Sequence, residues 1–363
     1  MRSSTRTLAE LYAPGRANSL NVVRLLLASL VIVEHAFPVT GSDPVGRVLY
    51  APIGDWAVNG FFAASGFLIW GSWVRTPSPR RFLIARVARI YPAFWVCLAM
   101  TAFVFAPVAA ALHGKSWMAQ LTDPAAPLYV LRNASLAMLQ WTIGDSPSGV
   151  PYETSWDASL WTLAWEFSCY IMILGLGLCG AARHRWMLPT ALGISVLLVL
   201  ATIGPLSGIE VAERVGRFTL FFLVGAVAYQ SRDWIRIGWP SVVVSFVLIT
   251  VTAMPWMQGL VPLRELIHAP ITAVAILGIG GLVSHPRLRL RNDISYGVYI
   301  YGFPVQQLLM HAFGSMTVIQ NAALAILCTA PLAMCSWFII EKPAIELGRR
   351  IATQVDRSAV VGA

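Results

Sequence analysis

The sequence predicts an all-α fold: a polytopic integral membrane helical bundle of about ten transmembrane helices, with both termini cytoplasmic. Three observations predict it. Of 363 residues, 57% are hydrophobic and only 12% charged, with a mean hydropathy of +0.67; a soluble domain carries about a quarter charged residues to keep its surface wet. Apolar runs of about 20 residues, enough to cross the hydrocarbon core, recur along the chain. The basic residues gather in alternate connecting segments, the mark of cytoplasmic loops.

The apolar runs lie near 20–38, 55–73, 91–112, 158–180, 187–204, 216–230, 239–255, 263–284, 294–313 and 318–340. With the N-terminus placed in the cytoplasm, most of the 26 Lys and Arg residues fall on the inner side. This divides the chain into a cytoplasmic tail over 1–18, a transmembrane unit over 19–345 and a second cytoplasmic tail over 346–363. The first apolar run has no small-residue cleavage site leading into a soluble domain, so it reads as a span rather than a signal peptide. The expected location is the bacterial cytoplasmic (inner) membrane.

Composition also excludes function classes. A net charge of +9 would point to nucleic acid in a soluble protein, but here the cations sit at helix ends, where they set orientation; no nucleic-acid partner is expected. Cys97, Cys169, Cys179, Cys328 and Cys335 lie within apolar stretches without metal or disulfide spacing and read as small apolar residues. No bound metal and no tightly held cofactor is expected. There is no internal repeat to support an inverted-repeat transporter. The longest connection, about 113–157, falls outside. Its Trp117, Trp141, Tyr152 and Trp156 suit either a sugar face or the lipid interface.

Charged residues inside spans are costly and mark function by default. The first span carries Arg24, Glu34 and His35. Eleven residues separate Arg24 from His35, three turns plus about 20°, so both face the same way about 16 Å apart along the axis. Histidine takes and returns a proton near neutral pH more readily than any other side chain. Glu34 lies about 100° around the helix from His35 and faces either the ring, through local bending, or another helix. Glu166, two turns into the fourth span, needs a partner, either His35 or an arginine. Asn59 and Ser65 stand in a second span rich in small residues, which allow close helix approach; they line a cavity or join helices. Arg86 and Arg89 share one helix face. That pair suits a phosphate group, and it also fits ordinary inner-side charge bias with anionic lipid contact.

Five features, spread from the N-terminus to about residue 345, resemble the membrane-bound acyltransferase-3 family. They are Arg24 with His35; Val58-Asn-Gly-Phe-Phe with Ser65-Gly66-Phe67-Leu68-Ile69; Arg86-x-x-Arg89 running into Ile90-Tyr91-Pro92; Ser159-Leu-Trp161 with Glu166; and Ser295-Tyr296-Gly-Val-Tyr299 with Glu341-Lys342-Pro343. The resemblance implies an O-acyltransferase that moves an acyl group, commonly acetyl, from cytoplasmic acyl-CoA to a hydroxyl of a cell-envelope or exported carbohydrate or glycolipid. Acyl-CoA would be a donor substrate, not a resident cofactor, and membrane lipids the surroundings. His35, Glu166 and Glu34 are then the expected catalytic residues, with Arg24, Arg86 and Arg89 holding the donor and Asn59, Ser65, Trp161 and Tyr296 binding substrate. Two departures stand out. Tyr301-Gly302-Phe303-Pro304 has glycine where many relatives have histidine, and about twenty residues follow Pro343, too few for the fused esterase-like domain of some relatives. The competing expectation is a transporter or flippase of a lipid-linked sugar, which also needs ten spans and buried charges but consumes no acyl-CoA.

Overall fold

The computed structural model describes residues 5–42, 53–254 and 260–361, with side chains as far as 354. The chain is mostly helical. Each of the ten apolar runs falls on a helix. In order these are α2 (Leu20–Val39), α3 (Ile53–Arg75), α4 (Pro79–Met100) continuing through a π-turn into α5 (Ala106–Leu112), α8 (Thr162–Leu178), α9 (Met187–Ala201), α10 (Glu210–Gln230), α11 (Trp239–Thr252), α12 (Val261–Leu282), α13 (Ser295–Phe313) and α14 (Val318–Ser336). A second π-turn carries α14 into α15 (Lys342–Val361). Five of the helical stretches are long and apolar enough to cross a membrane: Leu20–Val39, Ile53–Arg75, Pro79–Leu112, Val261–Leu282 and Val318–Gln354. Helices α8, α9 and α11 are apolar but shorter, while α10 and α13 carry more polar residues. The protein is therefore a membrane protein.

Two helix starts differ from the hydropathy reading, for opposite reasons. Helix α10 begins at Glu210, six residues before the apolar run, because Glu210 and Glu213 in its first turn favour the positive helix N-terminus while diluting hydropathy. Helix α8 begins only at Thr162. Ahead of it the Asp157 N–H donates to Ser155 Oγ (3.0 Å) and Ser159 Oγ donates to Asp157 Oδ1 (2.8 Å). Such local bonds compete with the helical ladder.

The N-terminal segment is tied to the bundle. Strand β1 (Arg6–Thr7) pairs antiparallel with β2 (Arg236–Ile237), and α1 (Leu8–Leu11) buries Leu8 and Leu11. The Tyr12 hydroxyl donates to the Leu277 carbonyl at 2.8 Å. The long connection over 113–157 holds two short helices, α6 (Trp117–Thr122) and α7 (Ala125–Asn133).

The most extensive helix pair is α3 against α10. A Cβ on Gly66 would lie 1.8 Å from the Phe222 carbonyl oxygen, and one on Gly225 would lie 2.0 Å from that of Ala63. Glycine at both positions lets the two backbones touch. Helices α2, α3, α8 and α13 surround the buried polar residues described next.

Candidate active site

Three elements each contribute residues to two tiers. Arg24 on α2, Thr162, Leu163 and Glu166 on α8, and Ser295, Tyr296 and Tyr299 on α13 line a narrow cleft together with Val58, Phe61 and Phe62 of α3. Further along the same elements, His35 on α2, Ala158 and Trp161 before α8, and Phe303 on α13 line a wider cavity of about 490 Å³. Between the tiers, Phe61 packs edge-on against Tyr299 with ring centres 5.9 Å apart, the Tyr299 hydroxyl donates to the Ser159 carbonyl (2.8 Å), and it also bonds Thr162.

The first tier is an ionic network. Asp293, in the turn before α13, receives both Arg24 and, at 2.7 Å, Arg89. Arg89 also reaches Glu341 at 3.1 Å, and its guanidinium lies 5.6 Å from the Tyr296 ring centre and 5.5 Å from that of Trp337. Ser295 Oγ donates to Asp293 (2.5 Å), and Ser336 Oγ donates to Glu341 (3.2 Å). Burial pushes the Asp293 carboxyl upward, but Arg24 and Arg89 outweigh it and hold the group down to about 2. Arg86 sits apart from these carboxylates, its guanidinium 5.6 Å from the Phe82 ring centre and 5.8 Å from that of Tyr170, with Nε buried and without a hydrogen-bond partner.

Glu166 falls in this tier rather than beside His35. It accepts from Ser65 Oγ (3.0 Å) and the Tyr170 hydroxyl (2.5 Å). Ser65 is therefore tied to the arginine tier. Asn59 is not: its Oδ1 accepts from Arg217 Nε at 2.9 Å, and Arg217 also pairs with Asp55 (2.9 Å) and Glu265 (3.4 Å). The Tyr296 hydroxyl donates to the Ile90 carbonyl at 2.8 Å.

The second tier is open. His35 meets Phe303 edge-on with ring centres 5.0 Å apart. Pro38, Trp141, Tyr152, Thr154, Ser155 and Arg214 complete the cavity wall, so the long connection supplies four of its ten residues. Of the four aromatics noted there, Trp141 and Tyr152 reach this cavity, Trp156 is fully buried against His311, and Trp117 is exposed. Gln307 fixes the connection by donating to the carbonyls of Tyr152 and Ser155, both at 2.7 Å. Glu34 points elsewhere, its Oε2 accepting from the Ile53 N–H (3.1 Å) at the start of α3. There it satisfies one of the N–H groups a helix N-terminus leaves open. The glycine at 302 has a packing cause: a Cβ there would lie 2.7 Å from Ile32.

Sequence reasoning missed Asp293, Arg217 and Arg214. Asp293 had a signal, being the acid of Asn292-Asp293-Ile294-Ser295, directly after a run holding Arg287, Arg289 and Arg291. Arg214 and Arg217 lie at the polar start of α10, where hydropathy is diluted and gives no signal of a site. Among the described residues there is no cluster of three or more metal-ligating side chains.

The arrangement offers a tier in which Arg24 and Arg89 are paired with carboxylates while Arg86 keeps a buried, unpartnered Nε for an anionic group, and an imidazole in an open cavity beside aromatic rings and hydroxyls. The chain is 27% identical over 341 residues to an O-acetyl transferase of Shigella phage Sf6, covering 90% of this chain and 96% of the relative. It is 27% identical to nodulation protein 10 of Rhizobium leguminosarum bv. viciae, covering 93% and 95%. It is 25% identical to exopolysaccharide production protein ExoZ of Rhizobium meliloti (strain 1021), covering 82% and 91%. No solved structure gives a significant match. The family model described as an acyltransferase domain matches residues 17–342, and the chain accordingly belongs to the acyltransferase-3 family as an O-acyltransferase.

Proposed function

We propose that the protein transfers an acetyl group from acetyl-CoA, bound at the arginine tier from the cytoplasm, to a carbohydrate hydroxyl held in the His35 cavity on the outer face of the bacterial inner membrane. All ten apolar helices cross the membrane in this reading, with both termini inside. The observation that carries it is the two-tier arrangement of α2, α8 and α13. These three elements line both levels, and α2 by itself places a cation, Arg24, at one and an imidazole, His35, at the other, about 16 Å apart by the helical rise between them.

The donor's phosphates meet Arg86, with Arg24 and Arg89 behind it, and the pantetheine arm reaches toward the cavity by parting the edge-on contact of Phe61 with Tyr299. His35 accepts the proton of the acceptor hydroxyl as its oxygen attacks the thioester carbonyl carbon. The C–S bond then breaks, the new C–O ester bond remains on the sugar, and the CoA thiolate takes a proton. Glu166, bonded to Ser65 and Tyr170, orients the wall of the donor path. Glu34 acts through the position of α3. Trp161, Trp141 and Tyr152 offer ring faces to the sugar, whose C–H surfaces favour aromatic contact while its hydroxyls find polar partners.

The test is transfer of radiolabelled acetyl from acetyl-CoA to glycan by purified protein in lipid nanodiscs, for wild type and His35→Ala. Loss of transfer with normal insertion and size-exclusion behaviour is expected. Undiminished transfer by His35→Ala would sink the mechanism.

A further inference from the structure

A second cavity of about 560 Å³ lies beside the His35 cavity and shares Trp161 and Arg214 with it. Each has the size of a small-molecule site, about 300–1,000 Å³. The shared wall is a stacked pair: the Arg214 guanidinium lies 4.4 Å from the Trp161 ring centre and pairs with Glu210 one helical turn away. Glu210 is 70% exposed and Arg214 38% exposed, so this wall is held at its solvent side alone.

The floor is held far more firmly. Arg217, which lines the second cavity, is fixed by Asn59, Asp55 and Glu265. Glu213, also lining it, accepts from the Gly208 N–H at 3.2 Å.

The lining selects a class of ligand. Three carboxylates (Glu210, Glu213, Glu265) face two guanidiniums, and both guanidiniums are already paired. Net negative charge disfavours a phosphate. Half of the fourteen lining residues are apolar, among them Val199, Phe218 and Val261, but an acyl tail filling the cavity would leave the five charged ones desolvated. A neutral polyhydroxyl chain suits the site: carboxylates accept from hydroxyls, guanidiniums donate to them, and Trp161 offers a ring face.

We propose that this second cavity is an extension subsite for the acceptor. It holds further sugar residues of the chain whose terminal or internal hydroxyl is presented to His35, so the enzyme prefers an oligosaccharide to a monosaccharide. The proposal rests on the reading of the His35 cavity as the acceptor site.

The probe is the exported polysaccharide of the source strain, freed of O-acetyl groups by mild base and cut by mild acid into fragments of increasing length. Full-length protein in nanodiscs is given labelled acetyl-CoA and each fragment. In wild type, kcat/KM is expected to rise about tenfold to a hundredfold from monosaccharide to the longer fragments, the range of one ring contact plus a few hydrogen bonds. Ser207→Trp places an indole in the mouth of the second cavity, and Glu213→Gln removes a charged acceptor. Both are expected to lower the ratio of long-fragment to monosaccharide kcat/KM, a ratio that a general loss of folded protein does not move. A wild-type series without length dependence overturns the subsite, as does a ratio unchanged in both variants. Ala158→Trp, in the wall of the His35 cavity, separates the two readings. If it abolishes transfer to every fragment while Ser207→Trp changes none, the subsite alone fails. If Ala158→Trp transfers normally, the acceptor-site reading itself fails.

Discussion

The arginine tier and the histidine tier share helix α2, which carries Arg24 and His35, yet they are built on opposite plans. Around Asp293 the charges satisfy one another: Arg24 and Arg89 share one carboxylate, and Arg89 takes a second from Glu341. Around His35 the walls are aromatic rings, hydroxyls and loop backbone enclosing about 490 Å³. The difference separates residues that hold the site from residues that are free to act in it. A cation locked between two carboxylates has little capacity left for a ligand, while an imidazole in an open cavity has a neighbour to find. Within the first tier the same distinction sets Arg86, with its unpartnered Nε, apart from Arg89.

The comparison is broken most directly at His35. His35→Ala is expected to lower acetyl transfer by about 10²–10⁴-fold, the usual contribution of a general base, with thermal stability close to wild type. A large loss of stability instead would assign His35 to the framework. Asp293→Asn is the converse. It strands Arg24 and leaves Arg89 with Glu341 alone, and removal of one partner from a buried pair is expected to destabilise by about 3–5 kcal/mol, read as a lowered Tm in detergent. An unchanged Tm would mean the network is not structural.

Arg86 and Arg89 sharpen the contrast inside one helix. Arg86→Gln is expected to raise the KM for acetyl-CoA about tenfold to a hundredfold, the weight of one charge-assisted hydrogen bond, with Tm preserved. Arg89→Gln is expected to lower Tm through the loss of both carboxylate partners. Equal effects of the two changes on KM and Tm would erase the distinction.

The smallest effect is on pH. The Asp293 carboxyl is lowered from its ordinary 3.8 to about 2, so the folded state binds fewer protons than the unfolded one. Its stabilisation is complete above about pH 4 and is lost as pH falls toward 2. A Tm profile flat at neutral pH and falling below pH 4, with that fall reduced in Asp293→Asn, is expected.

The helices were legible because lipid imposes a length and a composition on every crossing segment. Where charged first-turn residues or local Asp and Ser bonds enter, at Glu210 and at Asp157 to Ser159, hydropathy alone misplaces the helix start. Arg24, His35 and Glu166 were legible because a charge within an apolar run stands out. Their grouping was not. The spacing of Arg24 and His35 puts both on one face, but that Glu166 joins Ser65 and Tyr170 while Glu34 meets the start of α3 depends on how separate helices pack. Asp293 was hidden for the same reason: its two arginines come from α2 and α4, far away in the chain.

The glycine contact between α3 and α10 has a mechanical consequence. With Gly66 against Phe222 and Gly225 against Ala63, these helices meet without intervening side chains at two points, and any larger residue at either would push them apart. Helix α3 anchors Arg217 through Asn59 and Glu166 through Ser65, so this seam is the fixed jaw of the enzyme. Any opening of the His35 cavity then falls to its other wall, the connection over 113–157 that brings Trp141 and Tyr152 to it.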